Sequence, residues 1–367
     1  MIGRIIKDLP PKEGNPRNSE GSFLKLKDST IIFAYSKFLG DDCSDDAKAC
    51  IAFLYSYDSG ETFQDEKIMF VPEEKQAKNI MSVSLLRLKD CIAVFYIVRY
   101  GFHDARLHIR KSFDEGKTFT ELKCCILYPG YYVTNNDRVL QLSNGRIIIP
   151  VSFHRCLNSN YNHWTSIDLR GIVRFFISDD EGETFIESKG MGSLNLSDND
   201  SGLQEPGIIE LENGHLLCYS RTDLGCQYLS HSYDFGDSWS ECLPSRFFAP
   251  LSPMSMKWID SQSVLAVYNP VPITPVVNEG FAWGRTPLIG AVSRDKGKTF
   301  TEFFEIESDR NAGYCYTAIL ENEDYILLAY CCGGVEDGIC LNRLRIRKID
   351  KNDIMKNLVN SKIMIRT

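Results

Sequence analysis

An all-β fold, a six-bladed β-propeller, is what this sequence predicts. Three observations lead there: one short pattern repeated five times, a second rhythm of apolar strands, and no stretch with sustained helical periodicity. The pattern is Ser-x-Asp-x-Gly-x-(Thr/Ser)-(Phe/Trp), at residues 56–63, 112–119, 178–185, 232–239 and 293–300. Its aspartates, Asp58, Asp114, Asp180, Asp234 and Asp295, lie 56, 66, 54 and 61 residues apart. Such an interval marks an array of similar units, none able to bury its apolar face without neighbours. Dividing 367 residues by about 60 gives six units, hence one closed ring and a single domain over 1–367, although length alone suggests two or three domains.

Each copy of the pattern follows a short alternating apolar run, such as Ile51–Tyr55 or Leu107–Arg110, and precedes residues able to resume a strand. It therefore sits on a hairpin. The glycine supplies a backbone conformation that other residues resist, the Asp accepts backbone N–H groups within the turn, and the aromatic plugs the turn from below. The second rhythm comprises the apolar runs 30–35, 91–96, 146–151, 215–219, 264–268 and 325–330, each after a polar turn such as Leu-Ser-Asn-Gly at 142–145. Six such runs against five boxes imply a decayed sixth box at 344–353, which keeps the strand and loses the Gly and the aromatic, followed by a short C-terminal tail (353–367). The first unit lacks an outer partner, so the N-terminal strand is expected to close the ring against the last one. Insertions at 40–47, 154–169, 190–204 and 269–284 are expected to project from one face and shape a pocket.

Net charge −8 argues against a general nucleic-acid or anionic-membrane binder, and makes arginines gathered in one pocket more informative. The N-terminal segment, Met1–Pro10, lacks the apolar stretch of a secretory signal, and no run approaches the roughly 20 apolar residues of a membrane-spanning helix. Thirteen cysteines are scattered without metal-type or disulfide-framework spacing and read as reduced, buried thiols. The expectation is a cytoplasmic protein. There is no metal-ligand spacing, no phosphate-cradling glycine loop and no Ser-His-Asp signature, so neither metal nor cofactor is expected.

The repeated pattern resembles the Asp-box of sialidase-type propellers, and the resemblance spans essentially the whole chain. The boxes themselves are structural, on the outer edge of the blades. The resemblance implies a separate catalytic set: three arginines for a substrate carboxylate, a Tyr nucleophile, a Glu that activates it, and an Asp acid/base. Gln204-Glu205-Pro206-Gly207, running on to Arg221 through a Gly-containing turn, is similar to the family's hairpin; it makes Glu205 the base partner and Arg221 one arginine. Gly313-Tyr314-Cys315-Tyr316, before the strand 325–330, makes Tyr316 the nucleophile, with Tyr314 the nearest competitor. A phenol with a pKa near 10 needs such a base. A neutral nucleophile suits an anomeric carbon bearing a carboxylate, which would repel an Asp or Glu. Arg285 and Arg17 complete the arginine set, although Asn15-Pro16-Arg17-Asn18 departs from the usual Arg-Ile-Pro.

The acid/base is expected among Asp41, Asp42, Asp45 and Asp46, with Asp45 favoured and Asp46 and Asp42 following. Asn136, Asp137 and Arg138, in Tyr131–Arg138, are expected to reach the same pocket and read the glycerol or N-acyl group; His103 and His154 lie in comparable loops. The resemblance implies a retaining exo-α-sialidase-type glycoside hydrolase acting on a small molecule or oligosaccharide with a terminal acidic sugar, with neither nucleic acid nor membrane as partner. The alternatives are a hydrolase of another acidic sugar and a non-catalytic Asp-box propeller that binds glycans or proteins.

Overall fold

A computed structural model describes residues 2–195, 199–272 and 284–367. Of the expected insertions, positions 196–198 and 273–283 lie outside the described residues. In chain order the strands are β1 (Arg4–Leu9), β2 (Asn18–Lys25), β3 (Ile31–Phe38), β4 (Ala49–Ser56), β5 (Gln64–Phe70), β6 (Asn79–Arg87), β7 (Ile92–Gly101), β8 (Asp104–Ser112) and β9 (Lys123–Cys124). They continue with β10 (Tyr131–Val133), β11 (Leu140–Gln141), β12 (Ile147–His154), β13 (Ile172–Ser178), β14 (Ile186–Gly192), β15 (Gln204–Glu212), β16 (His215–Arg221), β17 (Cys226–Ser232) and β18 (Leu243–Phe248). Last come β19 (Ser255–Trp258), β20 (Val264–Tyr268), β21 (Leu288–Ser293), β22 (Thr299–Glu307), β23 (Cys315–Glu321), β24 (Tyr325–Cys331), β25 (Leu344–Asp350), helix α1 (Lys351–Asn357) and β26 (Val359–Arg366).

The chain is an all-β propeller. Among the described residues its hydrogen bonding makes five sheets where the sequence leads one to expect six. One nine-stranded sheet carries both β6–β9 and β10–β14, because β10 pairs in parallel with β8 through Tyr131 and Ala105. The N-terminal strand closes the ring as expected: β1 runs antiparallel to β25, from Arg4 opposite Lys348 to Leu9 opposite Leu344. At 344–353, the place of the expected decayed box, strand β25 runs directly into helix α1, the one α-helix among the described residues. In the short C-terminal tail, β26 adds to the edge of β22.

Both faces of the middle strands are buried, which the alternation of β3 illustrates. Ile32 and Ala34 pack with Ile80, Val94 and Tyr96 of β6 and β7, whereas Ile31, Phe33 and Tyr35 pack with Leu327 and Ala329 of β24. Sheets thus stack face to face around the ring.

The boxes are built as their residue types demand. In the first, Ser56 Oγ donates to Asp58 Oδ1 (2.8 Å) and accepts from Gly60 N (2.8 Å); Asp58 also accepts from Thr62 N (2.9 Å) and Thr62 Oγ1 (2.6 Å). Gly60, Gly116, Gly182, Gly236 and Gly297 all have φ between 78° and 88°, a region glycine enters without strain.

Candidate active site

The inner strands do not run straight. Register shifts between Ser19 and Gly21, Met81 and Ser84, Gln204 and Gly207, and Cys315 and Ala318 mark bulges in β2, β6, β15 and β23. At each bulge one non-glycine residue has positive φ: Glu20 (52°), Ser82 (59°), Glu205 (48°) and Tyr316 (57°). A bulge re-aims a side chain, and left-handed backbone at such residues costs on the order of 1 kcal/mol each. All four line one cavity of about 180 Å³, together with Asp45, Arg99, Asn135, His154, Gln204 and Arg221.

At its floor Tyr316 Oη donates to Glu205 Oε1 (2.8 Å) and lies 3.4 Å from Arg221 Nη1. Arg221 Nη1 stands 2.8 Å from Glu205 Oε2, and Gln204 Oε1 holds the same guanidinium through Nε (3.1 Å) and Nη2 (2.8 Å). The register that pairs Gln204 with Arg221 brings the start of β15 beside the end of β16. Burial pushes the Tyr316 phenol well above its ordinary pKa, Glu205 adds to this, and Arg221 and Arg285 oppose it. The phenol is therefore held neutral.

Arg17 and Arg285 do not line the cavity; they are buried behind it, at 1% and 5% exposure. Arg285 lies over the Tyr316 ring (5.5 Å to the centroid) and donates from Nη1 to Cys315 Sγ (3.1 Å) and from Nη2 to Leu251 O (3.2 Å). Arg17 is covered by Asp45, which accepts from its Nη1 at 2.6 Å, and the Cys43 carbonyl accepts from the same nitrogen at 3.2 Å. Asp45 belongs to the loop between β3 and β4, and its side chain is 63% exposed at the cavity mouth. Partial loss of hydration raises the Asp45 pKa; Arg17 and Arg99 outweigh that and hold the carboxyl below the usual range. Among Asp41, Asp42, Asp45 and Asp46, only Asp45 lines the cavity; Ser44 Oγ and its N–H engage Asp42 within the loop.

The stretch Asn136–Arg138 is placed otherwise than expected. These residues are not on the cavity wall. Asn136 Nδ2 donates to the Gly21 (2.7 Å) and Tyr316 (3.2 Å) carbonyls. Asp137 accepts from Ser22 Oγ (2.9 Å) and Lys257 Nζ (2.8 Å). Arg138 donates to Met254 O (2.7 Å) and Tyr219 Oη (3.2 Å). Their polar groups are spent tying neighbouring sheets together, and Asn135 lines the cavity in their place. Tyr314 is also elsewhere, edge-on to Tyr330 (6.3 Å) in the packed core.

His154 lines the wall, held by Asp168 O (2.9 Å) and Ser152 Oγ (3.1 Å); burial lowers its pKa. His103 packs its ring at a tilt against Tyr161 (4.4 Å between centroids) and is not on the wall.

Sequence reasoning missed Glu20, Ser82 and Arg99. A signal for Glu20 was present: Glu20-Gly21 parallels Glu205-Pro206-Gly207, an acid followed by a glycine in an inner strand. At Gly21 a Cβ would meet the Phe33 ring at 2.2 Å, and at Gly207 the Tyr219 ring at 2.4 Å, so both bulges demand glycine. Among the described residues no group of three His, Cys, Asp or Glu could hold a metal ion.

An all-β propeller whose bulge-borne side chains meet in one cavity is the class of protein that fold and site define. The family model described as a BNR repeat-like domain matches residues 45–328. The chain belongs to that family, and its fold is the BNR-repeat propeller of the sialidase superfamily. No curated protein matches it. Among solved structures it is similar to a protein of unknown function from Dyadobacter fermentans (16% identity, TM-score 0.68, 94% of this chain and 99% of that one). It is also similar to a leech intramolecular trans-sialidase (14%, TM-score 0.69, 97% of this chain and 71% of that one). A third is the Trypanosoma rangeli sialidase (13%, TM-score 0.69), where 97% of this chain covers 59% of the other. At these identities the likeness is one of fold.

Proposed function

We propose that the protein is a retaining exo-α-sialidase-type glycoside hydrolase, releasing a terminal sialic acid or related nonulosonic acid from a small molecule or oligosaccharide. The observation that carries this reading is the contact of Tyr316 Oη with Glu205 Oε1 at 2.8 Å, beside Arg221, on the floor of a cavity. A binding propeller has no need of a nucleophile-and-base pair within hydrogen-bond reach. About 180 Å³ suits one sugar ring, since sites for drug-sized ligands begin at roughly 300 Å³; this agrees with an exo mode. Six blades in a single domain over 1–367 complete the reading, the nine-stranded sheet counting as two blades joined where β10 meets β8.

In this mechanism Arg221, on the cavity wall, binds the substrate carboxylate through charge-assisted bonds, and Arg17 and Arg285 complete the clamp from behind that wall as the groups covering them move aside. Arg17 is engaged by Asp45 in the structure (2.6 Å), so an incoming carboxylate displaces Asp45. Without its cationic partner Asp45 binds a proton more readily, which an acid at the leaving group requires. Tyr316 gives its proton to Glu205 as the phenolic oxygen attacks the anomeric carbon; Asp45 protonates the departing oxygen. Asp45 then takes a proton from water, whose oxygen displaces Tyr316, and the phenol recovers its proton from Glu205. The acid releases clamp and catalyst together only for an anionic sugar.

The test is a panel of aryl glycosides: sialic acids, deaminated nonulosonic acid, shorter ulosonic acids and neutral sugars. The expected result is turnover of the carboxylated nine-carbon sugars with retained configuration. Turnover of another acidic sugar alone would move the reading to that sugar, and turnover of none would favour a binding propeller.

A further inference from the structure

Among the described residues, Glu20 is the one carboxyl group of the cavity to which the mechanism above assigns nothing. It is 3% exposed and sits at φ 52° on the β2 bulge, in the position that Glu205 and Tyr316 occupy on theirs. Ser82, on the bulge of β6, donates its Oγ to Glu20 Oε2. The other oxygen, Oε1, is 3.5 Å from Arg17 Nη2, whereas Asp45 holds Arg17 Nη1 at 2.6 Å. Of the two acids flanking Arg17, the exposed one is therefore its close counter-ion and the buried one is not.

The charges explain why this matters. Among the described residues, Arg99 and Arg221 face this side of the cavity from β7 and β16, and Arg17 stands behind it at the entry to β2; Asp45 and Glu205 face Glu20 from the β3–β4 loop and from β15. Tyr316 faces it from β23 as a neutral phenol, and His154 on the far wall is kept neutral by burial. Cys331 of β24 lies behind, against Ser19 (3.3 Å). If Glu20 were ionised, Arg17 would serve two carboxylates before any substrate arrived, and a third would enter against them. If Glu20 carries a proton, Asp45 is the one carboxylate on Arg17, and the substrate has only that one to displace.

We propose that Glu20 is a proton-gated guard of the carboxylate clamp, admitting an anionic sugar while neutral and opposing it when ionised. This rests on the reading of the cavity as a carboxylate-binding glycosidase site. Burial raises the Glu20 pKa to about 7, against the opposing pull of Arg17 and the Ser82 hydrogen bond, so the gate lies near neutrality. The sign follows: affinity for an anion is full below that pH and is lost as pH rises through it.

The experiment is calorimetric binding of the 2,3-unsaturated glycal of sialic acid, with its carboxamide as the uncharged control, across a range centred on pH 7. Wild-type affinity for the acid should be level below neutrality and fall by up to about tenfold per pH unit above it, while the carboxamide shows no such fall. Glu20→Gln, always neutral, should remove the fall. Ser82→Ala, which deletes a donor to the anion, should move its onset to higher pH and keeps the test decisive if the first variant does not fold. A level wild-type profile, a fall that persists in Glu20→Gln, or an equal fall for the carboxamide would overturn the gate. Failure of the wild-type protein to bind either compound at any pH would instead sink the sialidase reading beneath it.

Discussion

Replacing Tyr316 with phenylalanine removes one oxygen atom and separates chemistry from folding. That oxygen donates to Glu205 at 2.8 Å, in a side chain 8% exposed. A hydrogen bond to a charged acceptor contributes about 1.5–3 kcal/mol. Glu205 keeps Arg221 at 2.8 Å, so the carboxylate is not stranded and the net loss of stability should be near the bottom of that range, about 1.5 kcal/mol. Loss of the nucleophile should cost far more: at least about a thousandfold in kcat, or roughly 4 kcal/mol of barrier. Turnover of an aryl sialoside at saturation measures the second quantity, and the urea unfolding midpoint the first. Tyr314→Phe is the internal control, because that ring sits in the packed core away from the cavity and its loss should leave kcat nearly unchanged. A Tyr316→Phe protein that folds and retains more than about a tenth of wild-type kcat would refute the assigned nucleophile.

Asp45→Ala should lower turnover of poor leaving groups by about 10²–10⁴ and spare aryl sialosides whose phenolate leaves unaided; equal losses in a leaving-group series would remove the acid role. Glu307, 2% exposed, accepts from Tyr330 Oη (2.7 Å), Arg345 Nη1 (2.8 Å) and Arg347 Nη2 (2.7 Å), linking β22 to β24 and β25. Glu307→Ala would strand buried Arg347 and should destabilise by about 3–5 kcal/mol in equilibrium unfolding, without changing the Michaelis constant; a loss below about 1 kcal/mol would contradict this.

The five boxes were legible because each is closed by its own eight residues: in the third, Ser178 Oγ donates to Asp180 Oδ1 (2.7 Å), and Thr184 N donates to the same Asp180 oxygen (2.8 Å). Ring closure by β1 followed from counting strands. Helix α1, at the end of the expected decayed sixth box, was not legible, because a single segment of seven residues is too brief to show periodicity. Within the site, Glu205, Arg221, Tyr316 and Asp45 could be found from the resemblance, the first two through their hairpin. Asn136, Asp137 and Arg138 were misplaced because polar character does not say whether a group meets a ligand or a neighbouring strand's carbonyl.

The residue order thus determined the repeat, the all-β class and the turn chemistry, since these depend on interactions spanning a few positions. Tertiary structure decided which side chains meet: Tyr316 reaches Glu205 across 111 residues and Ser82 reaches Glu20 across 62. It also decided that Asp45 covers Arg17 and that two flanking acids differ in burial. Desolvation and charge pairing depend on everything packed around a group, and that neighbourhood exists only once the strands bulge and the ring closes.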